Sequence, residues 1–208
     1  MEVDAFLQNA CKPEDNLLGH KMLDGMNSGS HLELSKWSFE CFKLHDEKEL
    51  LDIGCGGGMN VKKMLELLPE ATVYGIDYSS ASVKRSLEVN HDEVESGRAI
   101  IKEADVRALP FDDEMFDAIT AFETIYFWDP VEKGLQETYR VLKNGGRFMV
   151  SCDANDPKKA EQWTKKIQGM TAYYPEEVKA LLVKTGFIDV EVFISGDRMC
   201  IIGTKSNN

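Results

Sequence analysis

The densest run of chemistry-bearing residues is Leu50-Leu51-Asp52-Ile53-Gly54-Cys55-Gly56-Gly57-Gly58. An apolar run that ends in a glycine-rich loop turns a strand sharply into a helix. Glycines there permit positive φ angles and let a ligand come close to backbone N–H groups. Asp77 closes the next apolar run, where an acidic side chain can accept from the hydroxyls of a ribose. Together these features predict a nucleoside-containing ligand, without choosing between a dinucleotide and another nucleoside cofactor. Gly54 and Gly56 fit the G-x-G of dinucleotide sites, but the third small residue falls on Met59. That spacing speaks against the alternative, a nicotinamide or flavin oxidoreductase, because a long side chain there would hinder close packing of helix on strand.

The elements that must hold these residues are legible from periodicity. Glu49–Ile53, Thr72–Ile76, Arg98–Lys102, Phe116–Phe122 and Arg147–Cys152 are short apolar runs separated by amphipathic stretches, the pattern of a parallel sheet flanked by helices. Val61, Met64, Leu65 and Leu68 recur at helical spacing, and Pro69 ends that helix. Ser79 or Ser80 can cap the next. Pro130 opens a helix through Leu142 that Asn144-Gly145-Gly146 stops, and Pro175 opens another that ends at Gly186. Phe187–Ile194 and Arg198–Thr204 are separated by three residues only, too few for a crossover, so they form an antiparallel hairpin. Residues 1–47 lie outside this rhythm and read as an N-terminal helical cap over the domain spanning 48–208.

Three further segments carry a more specific pattern: Ala104-Asp105-Val106-Arg107-Ala108-Leu109-Pro110-Phe111, then Phe116-Asp117, then Arg140-Val141-Leu142-Lys143-Asn144-Gly145-Gly146. In order behind the glycine loop, they resemble class I S-adenosylmethionine-dependent methyltransferases of the small-molecule type (the methyltransferase-11, UbiE-like group) over about Glu49 to Phe148. The resemblance implies a doubly wound, mostly parallel seven-stranded α/β sheet in the order 3-2-1-4-5-7-6, its last strand antiparallel, in a Rossmann-like domain. It also implies S-adenosylmethionine as cofactor and S-adenosylhomocysteine as product. The N–H groups around Gly54, Cys55 and Gly56 would hold the methionine carboxylate, with Asp52 near the ammonium. Asp77 would accept both ribose hydroxyls, with Tyr78 packing by the adenine and Ser79 also at the cofactor. Asp105 and the Val106 N–H would meet the adenine. Phe122 and Glu123, at the exit of the fourth strand, would face the sulfonium, and Trp37 would line the cleft from the cap. Glu123, Tyr126 and His31 are the candidates for catalysis. Asp117 falls at strand entry rather than exit and reads as a turn cap.

Composition bounds the partners. A net charge of −12 over 208 residues, with lysine pairs dispersed along the chain, disfavours nucleic acid and anionic membranes. The segment after the fourth strand also lacks the N-P-P-Y or D-P-P-Y tetrapeptide of enzymes that methylate amino groups of nucleobases. Five scattered cysteines without a C-x-x-C pair predict neither a disulfide framework nor a metal site. No run suits a membrane helix or a secretory leader, which predicts a cytoplasmic protein. The expected activity is methyl transfer to a small molecule. A non-catalytic S-adenosylmethionine-binding protein of the same fold is the other reading left open.

Overall fold

The structure, a computed structural model, describes residues 2–207; Met1 of the expected cap and Asn208 of the expected domain lie outside the described residues. Seven strands form one sheet: β1 (Glu49–Ile53), β2 (Thr72–Asp77), β3 (Ala99–Glu103), β4 (Phe116–Phe122), β5 (Leu142–Cys152), β6 (Phe187–Ser195) and β7 (Arg198–Lys205). Their order is β3-β2-β1-β4-β5-β7-β6. β1 pairs in parallel with β2 and β4, and β7 runs antiparallel to both β5 and β6. The central strands are buried on both faces, which explains their near-continuous apolar runs.

The helices divide between the two faces. On one, α4 (Met59–Leu67) lays Val61, Met64 and Leu65 against Leu50 and Val73. Its close approach requires Gly75: a Cβ there would stand 3.0 Å from Val61 Cγ2 and 3.1 Å from Cys55 Sγ. On the other face, α7 (Val131–Val141) and α9 (Pro175–Thr185) cover a core that includes Phe116, Trp128, Phe148 and Phe187. The helix expected to run through Leu142 and stop at Asn144-Gly145-Gly146 ends at Val141. Leu142 already pairs with Phe116 as the first residue of β5, and a bulge in β5 between Leu142 and Arg147, opposite Phe116 and Ala118, takes up the glycines.

Within 1–47 three helices form: α1 (Glu2–Leu7), α2 (Leu17–Met26) and α3 (Gly29–Phe42). α3 is a layer of the core, burying Leu34, Phe39 and Phe42, and its Ser38 hydroxyl meets that of Ser151 on β5 at 2.6 Å. α1 and α2 instead lie over the carboxyl ends of the strands, where Asn27 Nδ2 donates to the Gly57 carbonyl at 2.9 Å and Ser79 Oγ donates to the Pro13 carbonyl. Asp117, expected to cap a turn, accepts from the Lys48 and Glu49 N–H groups, each at 2.9 Å, and from Lys143 Nζ at 2.6 Å, and so ties strand entries together.

Candidate functional site

Two cavities open at the carboxyl ends of the strands, one of 390 Å³ and one of 140 Å³. They meet at Gly54, Asp77, Tyr78, Thr124 and Phe127, which line both. The larger lies within the range of small-molecule sites, roughly 300–1,000 Å³. It takes in the glycine loop, the exit of β4 and the helices α1–α3. The smaller takes in Ala104, Asp105, Val106 and Trp128.

The loop between β1 and α4 turns at Gly54 (φ 71°), Gly56 (φ 50°) and Gly58 (φ 85°). Its hydrogen bonds differ from those expected. The N–H groups of Gly54 and Cys55 both donate to the Ile76 carbonyl, at 2.8 and 2.9 Å, and that of Gly56 donates to Asp77 Oδ2 at 3.0 Å. These three are therefore engaged within the protein, and the loop is strapped to the end of β2. The open donors belong to the first turn of α4, whose leading N–H groups have no intrahelical partner. Met59, at the head of that turn, lines the larger cavity and does not wedge between helix and strand. Gly58 instead serves the close approach of the start of α4 to the helix that carries Ser86, since a Cβ there would fall 2.5 Å from Ser86 Oγ.

Asp77 is only 8% exposed. Its two oxygens accept from Gly56 and Ser79 N–H groups at 3.0 and 2.9 Å. A carboxylate offers about four acceptor positions, so capacity remains for two ribose hydroxyls. Burial raises its pKa to about 6. Ser79 is buried, capping the helix at Ser80–Val89 (α5) and fixing Asp77 without lining either cavity. Asp52 is sealed beneath the loop: Oδ1 accepts from Thr120 Oγ1 at 2.7 Å, and Oδ2 is buried without a partner. Burial raises the Asp52 pKa to about 7. It lines neither cavity, so it is not in position for the contact with an ammonium expected of it.

In the smaller cavity Asp105 is held by Arg107, whose Nε lies 2.9 and 3.0 Å from its two oxygens, and this ion pair lowers its pKa. Tyr78 stands at the junction with its ring under Lys12 Nζ and its hydroxyl against Cys11. Trp37 does not reach the cleft. It packs on α3 against the core around Phe39 and Phe42, because the helical phase that buries Leu34 and Phe42 turns Trp37 away from the strand ends.

The larger cavity brings together Phe122, Glu123, Tyr126 and His31, and adds Asp153 at the exit of β5. Glu123 sits at φ 55°, an uncommon conformation for a non-glycine residue. Its Oε1 accepts from the Asp153 N–H at 2.5 Å and from the Tyr126 hydroxyl at 3.3 Å. Burial, then the nearby Asp153 charge, push the Glu123 pKa well above the usual carboxylate range. Burial likewise raises Tyr126 and holds His31 below its ordinary value, so His31 is neutral near pH 7. Asp153 had one legible signal, its place just past an apolar strand. Asn27, whose side chain meets the glycine loop, lies in the cap run Met26-Asn27-Ser28-Gly29-Ser30-His31 ahead of Trp37, which is similar to the lid of related small methyltransferases.

The site suits S-adenosylmethionine. Asp77 keeps spare acceptor positions, Asp52 Oδ2 is an unpaired buried acceptor behind the loop, and the two cavities join at the residue expected to hold the ribose. Residues 51–150 match the family described as a methyltransferase domain. The chain is 40% identical over 117 residues to the demethylmenaquinone methyltransferase of Thermus thermophilus, covering 54% of this chain and 50% of that protein. It is 29% identical over 174 residues to the erythromycin 3''-O-methyltransferase of Saccharopolyspora erythraea, covering 77% and 57%. It thus spans about half the length of these two curated relatives. Among solved structures, the Haemonchus contortus phosphoethanolamine N-methyltransferase 2, in complex with phosphomonomethylethanolamine and S-adenosylhomocysteine, shares the fold with a TM-score of 0.77 at 16% identity, covering 90% of this chain and 57% of that one. The glycine loop tied to Asp77, the strand order and the matched segment agree: residues 51–150 match a methyltransferase domain, and the chain is similar to S-adenosylmethionine-dependent methyltransferases in sequence and in fold.

Proposed function

We propose that the protein transfers the methyl group of S-adenosylmethionine to a small-molecule acceptor by in-line displacement. When bound, the cofactor supplies a methyl whose C–S bond breaks with its electron pair staying on a neutral thioether as the acceptor's lone pair bonds to carbon. Asp77 accepts the ribose hydroxyls, Tyr78 packs beside the adenine, and Asp105 with the Val106 N–H reads its edge. The first turn of α4 receives the methionine carboxylate, and Gly56 leaves room for it. Phe122 and Glu123 face the positive sulfur, whose charge favours ionised Glu123. His31, neutral and half-buried in the cavity wall, can take the proton that a protic acceptor releases, while Tyr126 orients Glu123. Holding both reactants in line and away from water can contribute roughly 7–11 kcal/mol. The single observation that carries this reading is the junction of the two cavities at Asp77, which joins a nucleoside end to a chamber with proton-transfer groups.

Isothermal titration of the protein with S-adenosylmethionine, S-adenosylhomocysteine and NADH tests it. Micromolar binding of the first two and none of the third is expected; binding of NADH alone would overturn it.

A further inference from the structure

The larger cavity has two chemically distinct halves. Its floor, at the strand ends, carries Glu123 and Asp153, and His31 of α3 faces them from the wall. Away from the floor the walls are apolar: α1–α3 supply Phe6, Met22, Met26 and Leu32, and the segment following the helix at Pro157–Thr164 supplies Ile167 and Met170 from the opposite side. Methionine and aromatic walls adapt to an apolar body of varied outline. Among the described residues no lysine or arginine lines this cavity, and its charged groups are all acidic: Asp77, Glu123 and Asp153. With Asp77 assigned to the ribose, an acceptor meets only the other two.

A carboxylate or phosphate placed there would leave water for walls that offer no lysine or arginine, would find the cofactor's positive sulfur already faced by Glu123, and would lie beside like charges. An ammonium would sit against the cofactor's own positive sulfur, and it has no lone pair to offer until it loses a proton. From the walls and the floor, and resting on the methyltransferase reading, we infer that the acceptor is an uncharged, largely apolar molecule. It fills the methionine- and aromatic-lined chamber and presents one protic oxygen or nitrogen to Glu123 and His31. The specificity is one of exclusion as much as of attraction: the site rejects anions because it holds no partner for them.

Matched ligands test this on the full chain saturated with S-adenosylhomocysteine. Two frames are used: 2-naphthol, 2-naphthoate and 2-naphthylmethylammonium, and 1-octanol, octanoate and octylammonium. Calorimetry is expected to show the neutral member of each set binding at least about tenfold tighter than either charged member. The Met170→Lys variant, which supplies a cation to the wall, is expected to bring the carboxylates to within about threefold of the alcohols while S-adenosylhomocysteine affinity stays unchanged. Equal affinities across a set, a preference for a charged member, or binding of none of the six would overturn the inference while cofactor binding persists. Loss of S-adenosylhomocysteine binding by the unaltered protein would instead strike the methyltransferase reading, and the inference with it.

Discussion

Replacing Asp77 with Asn separates the cost of this residue to the fold from its value to the ligand. In the folded protein the carboxyl is nearly enclosed, and burial lifts its pKa from 3.8 to about 6, so ionised Asp77 costs the folded state about 3 kcal/mol at neutral pH. The sign follows from proton counts. Between pH 4 and 6 the folded chain holds a proton here that the unfolded chain has lost, so this residue's contribution to stability falls as pH rises through that window, and the loss is complete above about 6. Asparagine removes that cost. It also turns one side-chain acceptor into a donor facing the Gly56 or Ser79 N–H, a penalty of about 1–3 kcal/mol. The two terms nearly cancel, and the melting temperature near pH 7 is expected to move little. Cofactor binding has no such compensation. Two charge-assisted hydrogen bonds to ribose hydroxyls, each worth about 1.5–3 kcal/mol, weaken to neutral ones worth about 0.5–1.5 kcal/mol, a combined loss of about 2–3 kcal/mol, so the S-adenosylhomocysteine dissociation constant should rise by about 30- to 150-fold. Calorimetry at pH 7.5 measures this directly. A companion titration from pH 5 to 7.5 should show affinity of the unaltered protein increasing as Asp77 ionises near pH 6, and a flatter profile in the variant. A variant that binds within twofold of the unaltered protein would refute the placement of the ribose on Asp77.

Two further substitutions probe the loop and the floor of the chamber. Gly54→Ala should abolish cofactor binding and destabilise the fold by about 2 kcal/mol or more, because its Cβ would lie 2.4 Å from Thr124 Oγ1 at a φ of 71°. Gly56→Ala is the milder control, with only Met26 Sδ at 3.6 Å, and chemical denaturation of the pair should rank them in that order. Glu123→Gln should lower single-turnover methyl transfer about 100-fold or more while leaving S-adenosylhomocysteine affinity within a few-fold, since this carboxyl faces the reacting centre rather than the nucleoside. An unchanged turnover would remove Glu123 from the chemistry.

The parts of this protein that a reader of the sequence can derive are those with local causes. Strands buried on both faces need continuous apolar runs, helices that cover them need a 3.6-residue stripe, and a three-residue gap cannot hold a crossover, so the strand set and the terminal hairpin are written in periodicity and spacing. The glycine loop and Asp77 are legible for the same reason: positive φ angles and a turn at a strand end constrain residue type at single positions. What tertiary structure decided depends on residues far apart in the chain. The Gly54 and Cys55 N–H groups are consumed by Ile76 only because β1 lies in register with β2. Asp52 sinks below the loop because Thr120 on β4 reaches its carboxylate. Trp37 leaves the cleft because the phase of α3 is set by burying Leu34 and Phe42. Asp153 meets Glu123, and α1 closes the chamber against Trp163 and Met170, only once β4 and β5 stand side by side and the N-terminal helices fold over their ends. Side-chain types and periodicity specify the frame; which hydrogen-bonding groups remain free to meet a ligand is settled by long-range pairing, because most buried donors and acceptors first find a partner within the fold and the few that do not, such as Asp52 Oδ2, are left by that pairing.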